Sequence, residues 1–378
     1  MSDPSIAGVG MTAFADRAAD PLPRLLERAS TRALDDAELA AAELDLVVVG
    51  NMAGEAFVDR SGLANGLTAS IGAVGAQADR VENTSASGGS AFLRAVEAFH
   101  AGHADHVLVV GGEQMSAVDR QRATEVVGSI VHEAEYRQGV TLPSFAGIAA
   151  DAYLREHGAP REALSAVAVK NHTNAAANPY AQFRSRVTAA EVESSPMVAD
   201  PLRLFDCCPT SDGAAAVVLA PPGEGDVTVP GVAGATGTHA VAERENVLRV
   251  ESTSRAGTRA SSRAGVTPTD VDVLCLHDAF TILELLELEE LGFYAPGTAW
   301  EAVLRGETDR DGDLPVNPGG GLKARGHPLG ATGVAQVVEL VWQLRGEAGE
   351  RQVDDPATGI AVNVGGFGNN SICSILEI

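Results

Sequence analysis

The sequence is short of lysine, cysteine and aromatic residues, and each shortage excludes something. Of 27 basic residues only Lys170 and Lys323 are lysines, and 51 acidic residues leave a formal charge of −24. Nucleic acid is excluded as a partner, because phosphate binding needs a basic surface. Acid excess with arginine in place of lysine reads as salt adaptation, an acidic surface staying hydrated while salt screens the repulsion, with an ordinary acidic mesophile protein as the alternative. The four cysteines, Cys207, Cys208, Cys275 and Cys373, lack the C-x-x-C spacing of a zinc or redox site. They are expected to be buried structural thiols in a reducing compartment. No apolar run approaches the roughly 20 residues of a membrane span. Residues 1–20 lack a basic segment followed by an apolar one, so a cytoplasmic location is expected. No G-x-x-x-x-G-K-[ST] occurs, nor a G-x-G-x-x-G between strand and helix, and no cluster has metal-ligand spacing. No metal or cofactor is therefore expected.

What is present is apolar material in a repeating order. With 45% hydrophobic residues in 378, the chain can form two ordinary domains or one duplicated one. Three elements recur in sequence. The strand signal at 45–50 (DLVVVG) has its counterpart at 272–276 (DVLCL). Ser85-Ala86-Ser87-Gly88-Gly89 opens a helix through Phe92, Leu93, Val96 and Phe99. Gly326-His327-Pro328-Leu329-Gly330-Ala331-Thr332-Gly333 opens another through Val337, Val338, Leu340, Val341 and Leu344. Last, 106–112 (HVLVVGG) matches 359–366 (GIAVNVGG), each a strand running into a glycine pair. Strands alternating with helices predict a layered α/β fold with mainly parallel pairing. The Pro/Gly-rich break at 221–226 divides the chain into halves 1–222 and 223–378. The first half carries an extra stretch, about 115–200, read as a lid.

Each half thus has a reactive side chain at a glycine-rich turn into a helix, Ser85 in one and His327 in the other. Free N–H groups at such a turn favour an anion or a developing oxyanion. His277 follows the second-half strand at its C-terminal end, where open α/β sheets place ligand-contacting residues. Asn363 lies near another strand end, before Gly365-Gly366. Ser85, His277, His327 and the 363–368 loop are therefore expected to converge on one crevice. His100, His103 and His106, around a helix end and loop, are expected to be solvated. A nucleophile, two histidines and glycine N–H groups suit acyl transfer, with serine attacking a carbonyl while histidine takes its proton.

These residues resemble the thiolase superfamily, most closely its archaeal and sterol-carrier-protein-type branch. Asn83-Thr84-Ser85-Ala86-Ser87-Gly88 stands where that family has Cys-Ala-Ser-Gly or Cys-Ser-Ser-Gly. Lys170-Asn171-His172, Asn178-Pro179 and Asp212-Gly213-Ala214 look like markers of the branch, and His277-Asp278-Ala279-Phe280 resembles its His-Asp-Cys/Ala-Phe motif. Asn317-Pro318-Gly319-Gly320-Gly321 through Gly326-His327-Pro328 to Gly330-Ala331-Thr332-Gly333 is the most specific match. The resemblance implies a duplicated five-layer α-β-α-β-α fold, a covalent acyl-enzyme and coenzyme A thioesters as substrates. His327 would activate the nucleophile and, with a water held by His277, bind one thioester oxygen. The N–H groups of Ser85 and Gly365 would form a second oxyanion hole. It further implies a homodimer or tetramer and, for the archaeal branch, a separate subunit with an OB fold and zinc ribbon.

The sequence departs from the family twice. Ser85 replaces the nucleophilic cysteine, and Asn363 occupies the usual place of the second catalytic cysteine, with Ala279 at the alternative one. A Ser-His-His set remains. A hydroxyl is far less acidic than a thiol and needs general-base help, which His327 can give. The expected function is a β-ketothiolase, reversibly condensing acetyl-CoA with an acyl-CoA through Ser85. A non-catalytic acyl-CoA-binding or scaffold subunit and a decarboxylating condensing enzyme are the alternatives.

Overall fold

The apolar runs become strands because both of their faces are covered. In the computed structural model, which describes residues 2–378, the chain begins with β1 (Ser5–Met11), α1 (Leu22–Asp36), β2 (Leu46–Gly50), α2 (Gly54–Val58) and α3 (Leu63–Ile71). Then come β3 (Gln77–Val81), α4 (Ser87–His100) and β4 (Val107–Gln114). A mostly helical excursion follows: α5 (Arg120–Gly128), α6 (Glu133–Tyr136), α7 (Leu142–His157), α8 (Glu162–Ala176), α9 (Ala189–Ser194) and the small pair β5 (Met197–Ala199) and β6 (Leu202–Arg203). β7 (Asp212–Ala220) returns to the sheet and β8 (Val227–Thr236) continues it. The chain ends with α10 (Glu251–Ala264), β9 (Val273–Cys275), α11 (Thr281–Glu290), α12 (Ala299–Arg305), α13 (Thr332–Leu344), β10 (Thr358–Gly365) and β11 (Asn370–Glu377).

Nine strands form one sheet in the order β3-β2-β4-β7-β1-β8-β11-β10-β9. Its midpoint is a narrow seam, where β1 meets β8 only through Ser5 opposite Thr228 and Ile6 opposite Val227. On one side of the seam lie β2, β4, β7 and β1, and on the other β9, β10, β11 and β8 repeat the arrangement. The counterpart of β3 has shrunk to a parallel bridge between Leu274 and Val316. The alternation of strands and helices predicted mainly parallel pairing, and the sheet is instead mainly antiparallel. β2–β3, β2–β4 and β9–β10 are parallel, whereas β1–β7, β1–β8, β4–β7, β8–β11 and β10–β11 are antiparallel. Each parallel pair is linked by a helical crossover, whereas four residues join β10 to β11 and permit only a hairpin; the other antiparallel pairs bring together strands distant in the chain, as β4 and β7 are across the helical excursion.

Alternation along the strands sorts the core into layers. Val47 and Val49 of β2, with Leu108 and Val110 of β4, pack outward against α1 and α3. Leu46, Val48, Val107 and Val109 face inward onto α4 and α13, which also receive Val273, Cys275 and Ala361 of the second half. Leu274, Ile360, Val362 and Val364 face the other way, onto α7, α10 and α11. Helix, sheet, paired central helices, sheet and helix make the five layers. Among the described residues, no helix is long and apolar enough to cross a membrane.

Candidate active site

The two central helices start at one point. After β3 the chain turns through Thr84, whose φ of +53° is strained for a β-branched residue, and presents Ser85 two positions before α4. In the second half Asn317 has the same φ of +53°. A π-helical turn, Gly321–Arg325, then leads to His327 ahead of α13. The N-termini of α4 and α13 touch backbone to backbone: a Cβ on Gly88 would lie 2.6 Å from the Gly330 carbonyl oxygen, and one on Gly333 would collide with the Gly89 nitrogen. Glycine is required there by close approach.

Asn363, at the end of β10, joins the pieces. Its Oδ1 accepts the Gly89 N–H at 3.0 Å, which fixes the amide's orientation. Its Nδ2 then donates to the Ser85 carbonyl at 3.1 Å and faces His277 Nδ1 at 3.2 Å. A donor on that side makes His277 Nδ1 an acceptor, so the ring proton of neutral His277 sits on Nε2. His327 is set the other way. Its Nδ1 lies 2.7 Å from Thr332 Oγ1, whose own proton goes to the Pro328 carbonyl at 3.1 Å. His327 Nδ1 is therefore the donor, and Nε2 keeps its lone pair. The two rings stand 4.9 Å apart at 86°. One imidazole is built to donate and the other to accept. Both are held neutral: burial, then His327 and Arg325, pull the His277 pKa well below its usual value. Burial, then Arg325, lowers that of His327 to about 3.

The loops carrying these groups hang on buried carboxylates. Glu113, at the end of β4, accepts from Asn51 Nδ2 and from the backbone N–H groups of Met52, Ala53 and Gly330. It thereby pins the turn that follows His327. Burial pushes its pKa up to about 7 against these donors. Asp278 accepts the Leu322 N–H at 2.6 Å, the Lys323 N–H at 3.3 Å and the Asn171 amide at 2.7 Å, so it holds the π-helical turn. Burial, then the neighbouring Glu284, raises its pKa to about 6. Glu287 receives the His277 N–H at 2.8 Å, and burial drives its pKa well up. Both lysines of the chain lie in this layer. Lys170 bonds Glu284 at 3.0 Å and the Val316 carbonyl at 2.9 Å, and Lys323 bonds the Cys207 carbonyl at 2.7 Å.

Ser85, His277 and His327 line one cavity of about 220 Å³, as expected. Gly366 is on its wall, Asn363 stands behind the histidines, and Gly365 packs against Thr84, leaving no room for a Cβ. The rest of the wall is mostly apolar, with Met115, Val127, Leu142, Phe280 and Leu329. Among the described residues, the Ser85 hydroxyl has no hydrogen-bond partner. The expectation of buried thiols holds for Cys275 and Cys373 but not for Cys207 and Cys208, which are partly exposed on the cavity wall. The Cys207–Thr210 loop, anchored by the Cys208 N–H on the Ala279 carbonyl, carries them there. Desolvation pushes both thiols up to about 12, so they stay protonated. His106 lies elsewhere, against Glu224 at 2.8 Å. Sequence reasoning passed over Thr332 and Glu113, although Thr332 belongs to the glycine motif and Glu113 follows a glycine pair.

Residues 5–222 match the thiolase N-terminal domain family, and residues 233–378 match the family of thiolase C-terminal domain-like sequences. The chain belongs to the thiolase family. The acetyl-CoA acetyltransferase of Methanothermobacter thermautotrophicus is 41% identical, covering 100% of both chains. Human sterol carrier protein 2 is 33% identical over 95% of this thiolase and 69% of the relative. Among solved structures, the Ltp2-ChsH2(DUF35) aldolase superposes with a TM-score of 0.86 at 25% identity, covering 99% of this chain and 97% of that one. Human mitochondrial 3-ketoacyl-CoA thiolase in complex with CoA shares the fold, with a TM-score of 0.77 at 16% identity over 99% of this chain and 98% of that one. Full-length similarity of this order makes the chain an enzyme of the thiolase family.

Proposed function

We propose that this thiolase catalyses reversible Claisen condensation of coenzyme A thioesters through an acyl-enzyme on Ser85. The observation that carries the reading is the complementary setting of His277 and His327 beside Ser85 in one cavity. His327 Nε2 takes the hydroxyl proton as Ser85 Oγ attacks the thioester carbonyl, and the Ser85 and Gly365 N–H groups hold the oxyanion. The intermediate collapses to the oxygen ester, and the departing coenzyme A thiolate takes the proton back from His327. With Nε2 free again, His327 removes the Cα proton of the second thioester while the Nε2–H of His277 holds the enolate oxygen. The enolate carbon attacks the ester, and Ser85 Oγ leaves with the proton from His327, which yields the β-ketoacyl thioester and restores the resting enzyme. Asn363 cannot accept a proton, so in this scheme the base is a histidine.

The 115–200 excursion acts as the lid over which the thioester enters, within the halves 1–222 and 223–378. Homodimer or tetramer assembly belongs to the same reading. So does a separate OB-fold, zinc-ribbon subunit, supported by the DUF35 component of the aldolase complex that this chain resembles. Incubation with acetoacetyl-CoA, acid trapping and peptide mapping should locate an acetyl increment on Ser85. Label on Cys207 or Cys208 would overturn the assignment, and Ser85→Ala should abolish the label.

A second reading has its own support. The likeness to an aldolase, with a serine hydroxyl unpaired to either imidazole, favours carbon–carbon cleavage of a β-hydroxyacyl thioester with no acyl-enzyme. It predicts cleavage without added coenzyme A and no label on Ser85.

A further inference from the structure

Arg325 ends the π-helical turn two residues before His327, and only 2% of it is exposed. Its Nη1 donates to the Ala335 carbonyl of α13 at 3.2 Å, and its guanidinium lies over the Phe14 ring at 5.8 Å. Nε and Nη2 are buried with no hydrogen-bond partner. Among the described residues no carboxylate forms an ion pair with it: Glu339 and Asp278 act on it only from a distance, and both are engaged elsewhere. Glu339 takes Arg351 Nε at 2.9 and 3.1 Å and Gln343 at 3.0 Å. Asp278 is occupied by the turn's own N–H groups and by Asn171, and Glu284 by Lys170. A buried, unpaired cation is strongly unfavourable. Retaining one here calls for a negative charge that arrives only with the reaction.

We propose that Arg325 is a positioning residue, the standing counter-charge for the anion that forms between His277 and His327. This rests on the thioester reading above, although either an enolate or a tetrahedral oxyanion meets it. Arg325 acts through space and through the imidazoles rather than by touching substrate, since it is absent from the cavity wall. In the resting protein the same field, added to burial, keeps both rings neutral and opposes the proton that His327 must take up, an opposition that the arriving anion offsets. The groups facing His277 are Asn363 from β10, Glu287 from α11, Arg325, His327 and the adjacent Asp278. Those facing His327 are Thr332 from α13, Ser211 on its backbone N–H, His277 and Arg325. Glu287 is held protonated, leaving Asp278 as the adjacent anion, with its oxygens turned to the loop.

The test is imidazole NMR on the full-length protein from about pH 4 to 8, with kcat and KM measured over the same range. Neither His277 nor His327 of the wild type should protonate above about pH 5. Arg325→Met should raise at least one of these pKa values by about one unit or more, and Arg325→Lys should restore it. The acid limb of kcat should move up in parallel, and kcat should fall by about 10- to 100-fold with little change in KM. A wild-type imidazole titrating near its ordinary value would overturn the proposal, as would an Arg325→Met protein with unchanged titrations. If Arg325→Met does not fold, Arg325→Gln, which keeps hydrogen-bond donors without the charge, takes its place in the same titrations. The titration arm needs no turnover. Expected titrations in a protein inert toward thioesters would defeat the functional reading alone, whereas an active enzyme with an unmoved acid limb in Arg325→Met would defeat this proposal alone.

Discussion

A hydroxyl in place of a thiol changes what the surrounding residues must do. Thiolate forms readily beside a helix N-terminus, whereas serine needs a base while the bond is forming. Thr332 meets that need by fixing the His327 proton on Nδ1, which leaves Nε2 toward the cavity. Thr332→Val should slow acylation by about 100-fold, the range lost with a positioned general base, and Thr332→Ser should retain most of the rate. Single-turnover trapping of the acyl-enzyme measures both. Cys207 and Cys208, held protonated at the cavity wall, are poor substitutes as nucleophiles. Ser85→Cys should therefore accelerate acylation by about tenfold or more, since only that position adjoins both the helix N-terminus and His327. A slower Ser85→Cys enzyme would turn the mechanism toward the aldol reading.

At the scale of elements, catalysis depends on two helix starts being held in register, and Glu113 is the tie between β4 and the turn into α13. Its two oxygens receive four donors, so Glu113→Gln, with one acceptor oxygen, should cost about 2 kcal/mol by leaving buried N–H groups unmet. The pH dependence has a definite sign. The folded pKa, about 7, lies above the ordinary 4.5, so the folded state binds this proton more tightly. That contribution is complete below pH 4.5 and is lost as pH rises through 7, about 3 kcal/mol in all. Denaturant unfolding across this window should fall with pH less steeply in Glu113→Gln than in the wild type. An equal slope would show that Glu113 is not the group responsible.

The same tie shows what a sequence can and cannot display. Strands such as 45–50 and 106–112, and helix starts at Ser85 and His327, are local patterns and were legible. So was the meeting of Ser85, His277, His327 and Asn363, because strand ends and helix starts of a duplicated α/β chain share one crevice. Antiparallel pairing was not legible, since it depends on which distant strands become neighbours, as β4 and β7 do across the helical excursion. Nor were the roles of Glu113, Thr332 and Arg325. A polar residue in an apolar run declares its function only through a partner hundreds of positions away, such as Gly330 for Glu113. The wall formed by Cys207 and Cys208 was missed because an adjacent pair has no periodicity to say which way either thiol faces.

For the whole molecule, the charge of −24 divides into two populations with different responses to salt. Inside, Lys170 with Glu284 and Arg351 with Glu339 are almost fully buried, so mobile ions screen them little. Outside, pairs such as Arg137 with Glu133 and Arg155 with Asp151 are exposed and add little stability each. Between them they leave the acidic excess unanswered, and that excess repels itself most in dilute buffer. Raising monovalent salt from about 0.1 M to 1 M shortens the Debye length from about 10 Å to about 3 Å, which removes most of the repulsion. The thermal midpoint should therefore rise by about 1–3 °C, about 1–2 kcal/mol for a chain of this size, while the His277 and His327 titrations stay in place. Sucrose, which also favours the compact state by exclusion from the surface, separates the causes. A rise with potassium chloride that matched concentrations of sucrose do not reproduce identifies screening. An equal rise with both, or none with salt, would remove salt adaptation from the account and leave the active-site assignments untouched, because they rest on groups that the salt does not reach.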